Sequence, residues 1–498
     1  MRCGVRGIER EGLVILSYTF NIMFLGVILI VQAIAYSQCF FHRYPELNLG
    51  EKDGGDAGEP LFLTPYIESG NITEGKRLAR VPFTESLRIK SYAGYITVNK
   101  TYDSNQFFWY FPSMSPNKEL APVIVWLQGG PGATSLYGLF TENGPIRVRN
   151  NKFERRKYNW ALNHHIIYID NPVGTGFSFT KHPEGYCTDE TQVGEHLYST
   201  LTQFFKLFPE LQQNKFFVTG ESYGGKYVPA LAYTIHKKNP TAETKINLKG
   251  IAIGNGLSDP EHQLIYSKYL YQIGLIDWNA QKVFEDYEAK ARSYIQNNQW
   301  DEAFNTFDTL LNGDLIDGKS YFYNVTGFSF YFNYLHSKDY KSSETGDDFG
   351  PMIQKSAVRK EIHVGDMPFN DGKEVEKHLK QDVMKSVAPW ISELLDNYYC
   401  VIYNGQLDII VAYPLTLNYL QNLNFTGAEE YKTAKRYIWQ VDGEIAGYVK
   451  QAGKLVEIMV RNAGHMVPAD QPKWALDLIT RFTHEKTFYD KKTEYKGH

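Results

Sequence analysis

Cysteine is scarce: the chain has four in 498 residues, and Cys3 and Cys39 fall in or just after an N-terminal apolar run. A disulfide framework of the kind that staples small secreted domains is therefore excluded. Cys187 and Cys400 remain, and they leave two readings open, a 187–400 bridge or two buried thiols packing as small hydrophobes. An excess of one charge is also missing. With 52 Lys and Arg against 56 Asp and Glu, the formal charge is -4, which excludes the electrostatic footprint of a nucleic-acid or anionic-lipid binder. No internal repeat or low-complexity tract is present, so repeat arrays drop out. What is abundant is apolar and aromatic surface, with 43% hydrophobic residues, 36 Tyr and 30 Phe. That supply suits an amphipathic pocket as well as plain packing of half-exposed surface.

The first residues differ from the rest. Arg2, Arg6 and Arg10 precede the apolar run "LVILSYTFNIMFLGVILIVQAIA" at 13–35, which closes on Ala33 and Ala35. This layout marks residues 1–35 as a secretory signal, with a retained signal anchor as the alternative, since about 20 apolar residues span a bilayer. In both cases the remainder enters the secretory lumen, to be secreted or delivered to a lysosome or vacuole. Once the signal is cleaved, no membrane partner is expected. Sequons starting at Asn71, Asn99, Asn324 and Asn424 fit that compartment as N-glycosylation sites. Residues 36–60, with "GEKDGGDAGEP", read as a mobile linker or propeptide.

From there short apolar runs alternate with helical segments. "GYITV" (94–98), "FFWYF" (107–111), "VIVWL" (123–127), "IIYI" (166–169), "FFVT" (216–219), "GIAIG" (250–254), "CVIY" (400–403) and "VEIMV" (456–460) read as buried strands. "EHLYSTLTQFFKLF" (195–208) reads as a helix between them. The alternation predicts an α/β fold, a mostly parallel sheet with helices on both faces. Residues 261–311 are helical in period and 312–372 irregular and rich in Tyr and Phe, which predicts a lid insertion at 260–372. The core then has two parts, 61–259 and 373–485, followed by a tail at 486–498.

The chemistry begins at "GESYGG". Gly220-Glu221-Ser222-Tyr223-Gly224, between the strand "FFVT" and a helix, has the features of a nucleophile elbow that lifts a serine hydroxyl off the sheet edge. A serine hydroxyl needs a base, and the base needs an orienting acid. Asp408 follows the strand "CVIY" and His465 follows "VEIMV", in the chain order Ser, Asp, His. An oxyanion hole is required as well. Gly129-Gly130-Pro131-Gly132, directly after "VIVW", offers bare amides, and Gly130 with Tyr223 are the natural donors. No metal or organic cofactor is called for.

Together "WLQGGPG", "DNPVGTGFS" (170–178), "GESYGGKYVP", "IAIGNG" (251–256), "YNGQLD" and "GHMVPADQP" resemble the serine carboxypeptidase family, within it the vitellogenic carboxypeptidase-like branch, over residues 60–485. The resemblance implies an α/β-hydrolase fold with a helical lid, acid-active removal of C-terminal residues from peptides or proteins, and the triad Ser222, Asp408 and His465. It also implies that positions matching Trp126, Gln128, Gly129, Glu142 and Glu221 grip the substrate's terminal carboxylate. A protonated Glu beside the nucleophile can donate to that carboxylate, because two close or desolvated carboxyls have one raised pKa. Many members carry Asn where this chain has Gln128 and Cys where it has Ala133, and lid disulfides common in the family are absent. Two further readings use the same scaffold: an esterase or acyltransferase on the same triad, and a noncatalytic secreted protein.

Overall fold

Every apolar run expected as a strand is a strand in the computed structural model, which describes residues 47–313, 319–339 and 346–489. The expected signal segment 1–35, residues 36–46 of the expected linker, Cys3, Cys39 and the tail from 490 lie outside the described residues. Ten strands build one sheet. In chain order they are β1 (Tyr92–Asn99), β2 (Ser104–Phe111), β3 (Val123–Leu127), β4 (His165–Ile169) and β5 (Phe216–Glu221). Then come β6 (Leu248–Gly254), β7 (Tyr399–Gly405), β8 (Arg436–Val441), β9 (Glu444–Ala452) and β10 (Leu455–Val460). Across the sheet the order is β1-β2-β4-β3-β5-β6-β7-β10-β9-β8. The central strands from β4 to β10 pair in parallel, and antiparallel strands close each edge.

Parallel strands buried on both faces must be apolar on both faces, which is why they read as unbroken runs. In β3, Val123, Val125 and Leu127 enter one core, while Ile124 and Trp126 enter the other. Helix α1 (Glu190–Leu207) covers the first face through Val193, Leu197, Leu201 and Phe204, spaced by three or four residues. Asp189 caps it by accepting from the Gln192 amide at 2.9 Å. Beside it lies α2 (Gly224–Lys238), the helix that follows the elbow.

The expected insertion contributes α3 (Tyr266–Gln272), α4 (Trp278–Gln296) and α5 (Trp300–Phe307). The boundary expected at 372 falls just before α6 (Lys373–Val383), which packs against α5 of the insertion. Gln381 Nε2 donates to Asp301 Oδ2 at 2.9 Å across that contact. Helix α7 (Pro472–Thr483) covers the second face with Trp474, Leu478 and Ile479. The described part of the expected linker, 47–60, lies along the segment 346–366. Asp53 Oδ1 accepts from the Ser356 amide at 3.0 Å, and Lys360 Nζ meets Asp56 Oδ2 at 2.6 Å. Two of the acidic residues that suggest a solvated linker, Asp53 and Asp56, thus have partners in that segment.

Cys187 and Cys400 are free and buried, which decides between the two readings of that pair in favour of thiols. Asn71, Asn324 and Asn424 are exposed and Asn99 is half-buried. No helix among the described residues is long and apolar enough to cross a membrane. Strand register positions the site. Leu127 pairs with Gly220, Glu221 with Gly254, Gly254 with Tyr403, and Gly405 with Val460. The loops after β3, β5, β6, β7 and β10 therefore leave the sheet at one rim, the usual place for a site on such a sheet.

Candidate active site

Ser222 follows β5 with φ +62°, a left-handed conformation that costs a non-glycine residue energy and has to be held by its surroundings. The Ser222 amide donates to the Gly254 carbonyl at 3.0 Å, and its carbonyl accepts from Gly225 at 2.9 Å and Leu257 at 3.0 Å. The loop after β3 presses on this turn. A Cβ at Gly129 would lie 2.4 Å from the Tyr223 amide nitrogen and 2.9 Å from Ser222 Cβ, so only glycine fits there.

Asp408, after β7, and His465, after β10, are fully buried and bonded to each other, His465 Nδ1 donating to Asp408 Oδ2 at 2.8 Å. That oxygen also accepts from Asn255 Nδ2 at 2.7 Å and from the Val411 amide at 3.2 Å, and Oδ1 accepts from the Ile410 amide at 3.0 Å. With Nδ1 donating, Nε2 is left as the acceptor, the tautomer a general base needs. Nε2 is buried and makes no hydrogen bond in this structure, so the expected bond from Ser222 is not formed. The serine nevertheless shares a pocket with Phe332, Ile410 and Val411, the residues packed beside the histidine and the acid. Asn255 was missed by sequence reasoning. Its signal is its place in "GNG" at the end of β6, between the elbow strand and the acid strand, where it adopts φ +43°.

Gly130 and Tyr223 line the same pocket, and neither backbone amide donates a hydrogen bond to a partner among the described residues. The glycine loop is anchored by Asp170. Thr134 Oγ1 and the Ser135 amide donate to its Oδ1 at 2.5 and 3.0 Å, and the Phe177 amide donates to its Oδ2 at 2.9 Å. Burial pushes the Asp170 carboxyl up to about 6.

The five residues expected at the substrate carboxylate are brought together, although none of them lines the pocket. Trp126 Nε1 donates to Gln128 Oε1 at 2.7 Å, which fixes the amide's orientation. Gln128 Nε2 then donates to Glu142 Oε1 at 3.0 Å and to Glu221 Oε1 at 3.2 Å. Both carboxyls are fully buried. Desolvation pushes Glu142 up to about 7. Desolvation, then the charge of Glu142, holds Glu221 well above the usual carboxylate range. Oε2 of each receives no donor from another residue, and the two carboxyls hydrogen-bond to each other once one of them carries a proton.

The chain is similar to known proteins. A family model described as serine carboxypeptidase matches residues 82–485. The chain is 55% identical over 461 residues to a venom serine carboxypeptidase of Apis mellifera, covering 91% of this chain and 97% of that protein. It is 50% identical over 436 residues to a vitellogenic carboxypeptidase of Aedes aegypti, covering 86% and 91%. Among solved structures, the prohormone-processing carboxypeptidase KEX1 of Saccharomyces cerevisiae superposes with a TM-score of 0.67 at 23% identity, covering 83% of this chain and 96% of that one. That likeness establishes the α/β-hydrolase fold.

Proposed function

The chain belongs to the serine carboxypeptidase family, and we propose that Ser222, Asp408 and His465 carry its reaction, the release of C-terminal residues from peptides under acidic conditions. Ser222 Oγ gives its proton to His465 Nε2 and attacks the last peptide carbonyl. The oxyanion that forms is held by the Gly130 and Tyr223 amides. His465 returns the proton to the leaving amine, which departs as the free C-terminal residue and leaves an acyl-enzyme on Ser222. Water, deprotonated by the same imidazole, then hydrolyses the ester. Asp408 keeps Nδ1–H in place and stabilises the imidazolium without taking the proton.

The observation that carries the exopeptidase reading is the carboxyl pair bridged by Gln128. A protonated Glu next to the nucleophile donates to a terminal carboxylate, whereas an esterase has no use for such a group there. Hydrogen bonds to charged groups contribute about 1.5–3 kcal/mol each. Peptides with free C-termini are therefore turned over roughly 10²-fold faster in kcat/KM than their amides at pH 5. Equal rates would leave an esterase or acyltransferase on the same triad. The exposed sequons at Asn71, Asn324 and Asn424 support passage through the secretory pathway to a secreted or lysosomal destination.

A further inference from the structure

We infer that residues 330–334 of the insertion are a positioning strap for the triad, and that Phe332 sets both His465 alignment and preference for the residue on the acyl side of the cleaved bond. The inference rests on the assignment of Ser222, Asp408 and His465 as the triad. The strap reaches the loops of both the base and the acid. The Phe332 carbonyl accepts from the His465 amide at 2.6 Å. The Tyr331 carbonyl accepts from the Ile409 and Ile410 amides at 3.1 and 3.2 Å, and the Tyr334 amide donates to the Leu407 carbonyl at 2.9 Å. Asn333 Nδ2 and the Gly464 amide donate to the same oxygen, Asp470 Oδ2, at 3.2 and 2.7 Å.

Gly464, next to the histidine, makes room for this path, since a Cβ there would lie 2.2 Å from the Phe332 carbonyl oxygen. The glycine of "GHMVPADQP" is thus demanded by a segment more than a hundred residues earlier. Above these bonds the Phe332 ring lies against the imidazole, centroids 5.0 Å apart at 35°, and Tyr331 and Phe330 buttress it edge-on at 4.8 and 5.3 Å. Tyr331 and Phe332 also wall the pocket that opens on Ser222, together with Phe304 and Phe307 of α5. One ring therefore touches the base on one side and bounds substrate space on the other. Helix α3 braces the acid from the lid as well, Tyr269 and Tyr266 hydroxyls donating to the carbonyls of Asp408 and Ile410 at 2.8 and 2.7 Å.

The test is the rate at which a small fluorophosphonate labels Ser222, a reaction that needs the triad and no peptide carboxylate. In Phe332→Ala this rate falls about tenfold or more, as expected when a catalytic group is misplaced by a fraction of an ångström, and its pH midpoint moves. Phe332→Tyr, which keeps the ring, restores both. The kcat/KM ratio between peptides with Phe and with Ala before the last residue falls by about tenfold in Phe332→Ala, because the wall that grips the larger side chain is gone. If Phe332→Ala does not fold, Phe332→Leu, which keeps bulk without aromaticity, is measured in its place. A folded variant labelled at the wild-type rate and pH midpoint overturns the inference. A wild-type enzyme that is labelled but releases no C-terminal residue would instead overturn the proposed function and leave the strap standing.

Discussion

Glu142 and Glu221 flank a single amide, Gln128 Nε2 lying 3.0 Å from one carboxyl and 3.2 Å from the other, with no solvent reaching either acid. A carboxyl whose pKa is raised stays protonated below that value and loses its donor as pH rises through it. For peptides with free C-termini, kcat/KM therefore declines as the pair gives up its protons, starting with Glu142, half ionised near 7, and continuing with Glu221, the donor beside the nucleophile. Glu221→Gln keeps an N–H donor and moves that decline upward, while Glu221→Ala lowers kcat/KM roughly 10–100-fold through the lost charge-assisted bond. Rates on an ester substrate without a carboxylate are unaffected by the pair. A pH profile identical in wild type and Glu221→Gln would refute this role.

Asn255→Ala removes the 2.7 Å bond to Asp408 Oδ2 and the bond from the Gly405 amide to Asn255 Oδ1 at 3.1 Å. The expected loss is roughly 10–100-fold in kcat with KM little changed, because the acid's aim on His465 loosens. Asp408→Asn, which presents the wrong hydrogen-bonding partner to Nδ1, costs about 10⁴-fold. Steady-state kinetics on one peptide checks both, and an Asn255→Ala enzyme with wild-type kcat would count against the arrangement.

Lys226, in the first turn of α2, is fully buried and paired with Asp382 at the end of α6, Nζ to Oδ2 at 3.0 Å, with the Asp382 carbonyl also accepting from it. Lys226→Met leaves the buried Asp382 carboxylate only the looser contact with Lys385 Nζ at 3.6 Å and costs about 3–5 kcal/mol of stability, whereas the double change with Asp382→Leu costs much less. Thermal melting of both variants decides the matter. Equal destabilisation would mean that the lysine acts through packing alone.

Glu190 lies fully buried near that pair, and desolvation first, then the charge of Asp382, pushes it up to about 8 against the attraction of Lys226. A raised pKa makes stability greatest below the unfolded value, an ordinary 4.5, and erodes it as pH climbs to about 8. The shift corresponds to roughly 4–5 kcal/mol as an upper bound. Glu190→Gln removes that erosion, so its melting temperature gains on the wild type between pH 5 and 9 and the two curves cross or converge. Parallel curves would contradict it.

Much of this was legible beforehand because the chemistry sits at strand ends, and strands buried on both faces announce themselves as apolar runs. The elbow, the acid and the histidine each follow such a run. The β8–β9 hairpin escaped because its strands alternate with charged, exposed positions at the sheet edge. Its turn, Asp442-Gly443 with φ +50° and +83°, was the signal available in "VDGE". Asn255, Lys226 and Phe332 escaped for another reason. Each acts through a partner far away in the chain, and neither hydrophobic period nor local motif reports on a contact that only the completed sheet and lid create.

The two thiols have a practical consequence. Cys187 and Cys400 are buried, Cys187 Sγ lying 3.4 Å from His196 Nδ1, and burial raises both far above the range where thiolate forms. Both thiols are therefore expected to react slowly with disulfides and alkylating reagents while the fold is intact. The described fold holds without a bond between these two thiols, so a reducing agent is expected to leave its activity unchanged.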